Sequence, residues 1–197
     1  AMGSARSLAM LATPHSRTSR VLSTAVAFLL PLAILIERGW ARLAAPDFWS
    51  EDGKVFFEQA LMEGPRSLLH PMAGSFFTLE RLVMVGAVQL APLAWVPFLV
   101  CLTTIVITAF VMSRVADEAY AWLIPSHAVR LAATAGLCLL PGLYEMLGNL
   151  CNVNWVLFAG VALIGLQDPG RTLSRANLAA MALVSVSVGT AVLLVPL

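Results

Sequence analysis

Charge is what this sequence has least of. Lys, Arg, Asp and Glu make up 12% of it, about half their share in an ordinary soluble domain. The shortage is also localised, because residues 82–112 and 131–144 contain none of the four. A charge-free apolar run longer than about 18 residues can cross a hydrocarbon layer about 30 Å thick. In water such runs aggregate, so the composition argues for an all-α polytopic membrane bundle and against a soluble domain. The formal net charge is +1, and no basic stripe carries aromatics between its charges, which argues against a nucleic-acid partner. Cysteine is sparse as well. Cys101, Cys138 and Cys151 are an odd count without CxxC spacing, so they supply neither a disulfide framework nor a zinc site. They read as small hydrophobes packed between helices. The common catalytic signatures are missing too: there is no GxSxG, Walker motif, GxGxxG or HExxH.

What is present is mostly apolar: 59% of the residues, with a mean hydropathy of +0.86. About five spans are expected, at 21–36, 93–112, 129–147, 155–166 and 176–197. Ala1-Met2-Gly3-Ser4 reads as a cloning scar, so 1–20 is set aside as scar plus cytoplasmic tail, with the transmembrane domain over 21–197. The apolar ending Leu193-Leu194-Val195-Pro196-Leu197 reads as a truncation. Arg6, Arg17, Arg20, Arg114, Arg130, Arg171 and Arg175 fall on one side of the spans, and the short turn 148–154 has no basic residue. The excess of positive charge on cytoplasmic loops then sets the N-terminus inside and the loop 39–78 outside.

That loop differs in kind. Seven of the 11 acidic residues lie between Glu37 and Glu80, interleaved with Trp40, Phe48, Trp49, Phe56, Phe57, Phe76 and Phe77. Near-helical apolar spacing predicts a short helix over 53–62, capped by Asp52 and ended by Gly64-Pro65, with a second amphipathic piece over 76–90. Both are expected to lie along the membrane surface. Three carboxylates, Asp47, Glu51 and Asp52, fall within six residues. Such a cluster can bind a divalent cation, supply a general base, or simply be a solvated loop with a cap. A second polar group, Glu145, Asn149, Asn152, Asn154 and Trp155, sits at the outer end of the third and fourth spans. Two spans separate it from the acidic loop, so both belong on one face. Lys54, Arg66, His70 and Arg81 are the cations available to an anionic head group.

These residues taken together resemble a known pattern. The run Asp47…Glu51-Asp52-Gly53, the helix Val55-Phe56-Phe57-Glu58-Gln59-Ala60-Leu61, the segment Pro71-Met72-Ala73-Gly74-Ser75-Phe76-Phe77 and the helix opening Leu79-Glu80-Arg81-Leu82 carry it. They resemble the N-terminal half of the GT-C superfamily of polytopic glycosyltransferases. The segment Asn152-Val153-Asn154-Trp155 is similar to a polar stretch of bacterial membrane proteins of that type. The resemblance implies sugar transfer from a polyprenyl-phosphate donor to a glycan, lipid or protein acceptor, at the outer face of the inner (cytoplasmic) membrane. It implies Asp52, Asp47 or Glu51 as the base, ranked in that order. The donor phosphate would sit near Arg66, His70 or Arg81, and the superfamily admits magnesium or manganese on the three carboxylates. Two other readings stay open: a transporter or flippase of a lipid-linked precursor, and a non-catalytic membrane subunit.

Overall fold

The computed structural model describes residues 17–188, and their regular elements are all helices. Helix α1 (Arg17–Arg38) starts inside the expected tail, so residues 17–20 already belong to the first long helix. The rest of that tail, 1–16, and the end of the fifth expected span, 189–197, lie outside the described residues. Two stretches are long and apolar enough to cross a membrane, Val21–Arg38 and Leu93–Ala116. Only 17% of the first is buried within the protein, against 44% of the second. Most of the apolar surface of the first stretch therefore lies outside the protein core.

Helices α5 (Val96–Ser113), α6 (His127–Cys138), α7 (Val153–Gly165) and α8 (Arg175–Ser187) complete the bundle. Helix α5 is central, packing against α1, α6 and α7, while α8 packs on α7. Leu35, Ile105, Ala109, Cys138 and Leu147 fill the α1–α5–α6 seam, and Val153, Leu157, Val161, Met181 and Val184 fill the α7–α8 seam.

Three of the five expected spans are not long enough to cross a membrane among the described residues: α6 and α7 have 12 and 13 residues, and the described part of the last, α8, has 13, against about 20 for a span. Residues 129–147 are not a single helix: α6 stops at Cys138, and a 3₁₀ segment, Pro141–Met146, follows. The cause is local. Arg38, at the end of α1, donates to the carbonyls of Cys138 and Leu140, satisfying acceptors that a continued helix would have used. Pro141 then has no N–H with which to resume it.

The loop between α1 and α5 is itself helical. Helix α2 (Trp40–Ala44) is followed by a π-helical turn, Asp52–Phe57, which runs into α3 (Glu58–Glu63). Gly64, at φ +57°, ends α3, because that left-handed conformation costs glycine least. A 3₁₀ segment, Gly64–Leu69, and helix α4 (Thr78–Leu90) complete the loop. These helices match the two expected from spacing, and both are shorter than a span. They lie over one end of the bundle through a core of Phe56, Phe77, Met84, Val85, Val96, Val100 and Leu150. The turns 114–127 and 166–175 close the other end, tied together by Asp168 N–H to the Ala119 carbonyl at 2.9 Å.

Candidate functional site

The acid at the start of the loop helices reaches across to the far turn. Asp52 is fully enclosed, and its Oδ2 accepts the Leu150 N–H at 2.7 Å while its Oδ1 accepts the Cys151 N–H at 2.8 Å. The expected helix-cap role is thus corrected: the carboxylate makes no cap within its own helix and instead binds a turn 98 residues away. This contact joins the acidic loop to the 148–154 turn at one end of the bundle. Gly148 shapes that turn, at φ +75° with its N–H on Thr104 Oγ1 at 2.9 Å. Burial is the main force on Asp52 and raises its pKa to about 6, offset in part by the two N–H donors and assisted by the charge of Glu51.

Glu80, on the first turn of α4, is equally enclosed, and neither carboxylate oxygen has a hydrogen-bond partner. Burial raises its pKa to about 7; its own backbone amide lowers it, the charge of Asp52 raises it, and Arg81 lowers it. Arg81 beside it is 1% exposed. Its Nε donates to the Phe76 carbonyl at 3.0 Å and its Nη1 to Gln59 Oε1 at 2.6 Å, with the guanidinium 5.1 Å from the Phe56 ring. Burial depresses the Arg81 pKa, with Glu63 and Glu80 opposing that shift. The backbone entering α4 is itself constrained. Phe77 has φ +50°, costly for a residue with a Cβ, and is held there by its N–H on the Ser187 carbonyl at 3.2 Å and its ring 5.5 Å from that of Phe56.

The other expected site residues divide clearly. Asp47 and Glu51 are exposed, Asp47 accepting only the Phe48 N–H at 2.8 Å. Among the described residues no three His, Cys, Asp or Glu side chains gather where one ion could bind. His70 pairs with Glu63 at 3.1 Å, whereas Arg66 and Lys54 are exposed and make no ion pair among the described residues. Glu145 and Trp155 are exposed, the latter at 60%. Asn149 is buried and its Oδ1 accepts the Asn152 N–H at 3.0 Å, turning the chain into α7. Asn152 is half-buried, and Asn154 has an enclosed Oδ1 with no partner. Sequence reasoning missed Glu80 as a site residue. Its signal was an acid beside an arginine at the head of an otherwise charge-free helix.

Comparison with protein-family models, with curated proteins and with solved structures finds no match for this chain.

Proposed function

We propose that this chain is a membrane glycosyltransferase, or the N-terminal module of one, with Asp52 as the base that activates an acceptor hydroxyl. The observation that carries the reading is the position of Asp52: an enclosed carboxylate with a raised pKa, fixed by two N–H groups where the loop helices meet the bundle. A base is most effective when its pKa lies near the working pH. In the proposed step the acceptor O–H gives its proton to Asp52 and its oxygen bonds to the anomeric carbon. The bond from that carbon to the donor phosphate breaks, releasing polyprenyl phosphate, and the configuration inverts. Asp52 is wholly enclosed here, so the acceptor reaches it only when the loop helices part from the 148–151 turn.

A second reading draws on Glu80. Two enclosed carboxyls that influence one another, Glu80 with neither oxygen hydrogen-bonded among the described residues, suit a proton-coupled transporter of a lipid-linked precursor. One set of variants separates the two. In full-length protein supplied with polyprenyl-phosphate sugar, transfer by Asp52→Asn falls about 10²–10⁴-fold, and the wild-type kcat/KM rises with pH through about 6. Transfer retained in Asp52→Asn would sink the transferase reading. Proton-driven uptake abolished by Glu80→Gln would establish the transporter instead. Orientation is tested separately: single cysteines at the exposed Ser50 and Ser174 label from opposite sides of the membrane with an impermeant thiol reagent. Labelling of both from one side refutes the topology.

A further inference from the structure

Arg42 supports an inference that is independent of both the transfer and the transport reading. It lies on α2, and its guanidinium carbon is 4.4 Å from the centre of the Trp49 ring and 5.0 Å from that of Tyr144. An arginine stacked on aromatic faces keeps its in-plane N–H edge available for a planar or tetrahedral oxyanion. Here that edge is unused: among the described residues no carboxylate pairs with Arg42. Its Nε is enclosed without an acceptor, and so is the indole N–H of Trp49 against which it stacks. An enclosed donor without an acceptor costs free energy, and one beside a fixed positive charge is best met by a group offering only acceptor oxygens and negative charge.

The surroundings hold this arrangement in place. A Cβ built on Gly148 would lie 3.2 Å from Arg42 Cδ and 3.0 Å from Cys101 Sγ, so the glycine leaves room for the arginine stem. The turn that begins at Gly148 also donates the N–H groups bound by Asp52. Arg42 and Asp52 therefore rest on the same short segment from two directions.

We propose that Arg42 and the Trp49 indole N–H form an oxyanion site that takes a phosphate mono- or diester group. Both donors are enclosed here, so a phosphate, which offers more acceptor oxygens than a carboxylate, reaches them only when the packing around the Arg42–Trp49 stack opens. Lipid head groups and soluble phosphates share this chemistry, and the test distinguishes them.

The full chain is purified in a maltoside detergent, which carries no phosphate, with Trp40→Phe, Trp95→Phe, Trp122→Phe and Trp155→Phe so that Trp49 alone fluoresces. One arm adds inorganic phosphate, and the other adds phosphatidic acid to the micelles. The expected result is a saturable change in Trp49 emission in at least one arm, weakened about ten- to a hundredfold by Arg42→Gln. Saturation with phosphatidic acid alone identifies a lipid head group, and saturation in both arms identifies the phosphate itself. Tyr144→Leu, at a ring 43% exposed, retains the charge and removes one stacking face, and it weakens binding severalfold. The proposal is overturned if neither arm saturates, if Arg42→Gln binds as the parent does, or, should Arg42→Gln fail to fold, if Tyr144→Leu leaves affinity unchanged. No transfer or uptake is measured, so failure here is distinct from failure of either functional reading.

Discussion

The two ends of the bundle handle polar groups in opposite ways. At the end formed by 114–127 and 166–175, charges do structural work and find partners. Arg114 pairs with Asp117 at 3.3 Å, Asp117 also accepts the Ala119 N–H at 2.9 Å, and Ser126 and Ser174 cap α6 and α8. Arg130, 3% exposed, donates to the carbonyls of Ala116, Ile124 and Pro125. At the loop end the pattern reverses. Among the described residues eight enclosed side-chain atoms lack a hydrogen-bond partner, and six of them are there: Arg42 Nε, Trp49 Nε1, both Glu80 oxygens, Arg81 Nη2 and Asn154 Oδ1. Buried polar groups are ordinarily satisfied, so a concentration of unsatisfied ones sets this end apart from the other.

The contrast can be broken or sharpened by substitution. The largest effect on stability is expected at the satisfied end. Arg130→Met strands three carbonyls and should cost roughly 2–4 kcal/mol, with no change in the pH profile of activity. A melting temperature within a degree or two of wild type would mean that this end is not the rigid one.

Glu80→Gln should act in the other direction, and its sign follows from linkage. The folded pKa of about 7 lies above the ordinary glutamate value of 4.5, so the folded state holds the proton more tightly. Stability from this group is therefore complete below about 4.5 and is lost as pH rises through about 7. Asp52 adds a change of the same sign between 3.8 and about 6. Wild-type melting temperature should fall between about pH 5 and about pH 8, and Glu80→Gln should remove roughly 2–3 kcal/mol of that fall. A variant no more stable than wild type at the alkaline end would show that Glu80 is not held away from water. The smallest effect belongs to the exposed acids: Asp47→Asn and Glu51→Gln should shift stability by less than about 0.5 kcal/mol and leave transfer unchanged. A large loss of transfer in either would move the base away from Asp52.

Much of this contrast was legible in the sequence, and the rest was hidden for identifiable reasons. Counting spans was enough to put the 39–78 loop and the 148–154 turn on one face, and the Asp52–Leu150 contact agrees. The two loop helices followed from apolar spacing. The break after Cys138 did not, because it depends on Arg38, which is distant in sequence and whose reach no local pattern reveals. Asp52 was singled out for its position but given a cap's role, since spacing shows a helix start and not the backbone amides of a remote turn. Glu80 and Arg42 looked like flanking charges. Only burial, a property of the assembled chain, sets Glu80 apart from Glu51, and only the two rings around Arg42 set it apart from Arg66.

The π-helical turn Asp52–Phe57 has a further consequence, for insertions and deletions. A π turn holds one residue more than the α turn it replaces. Removing a single residue within 53–57 lets the turn relax to α geometry while Asp52 on one side and α3 on the other keep their faces, because the wide turn had absorbed the extra residue. The same deletion within α3, which has no such slack, rotates everything on one side of it by about 100° relative to the other. A one-residue change in length should therefore be better tolerated within 53–57 than within 58–63. A shortened turn would keep Asp52 on the Leu150 and Cys151 amides.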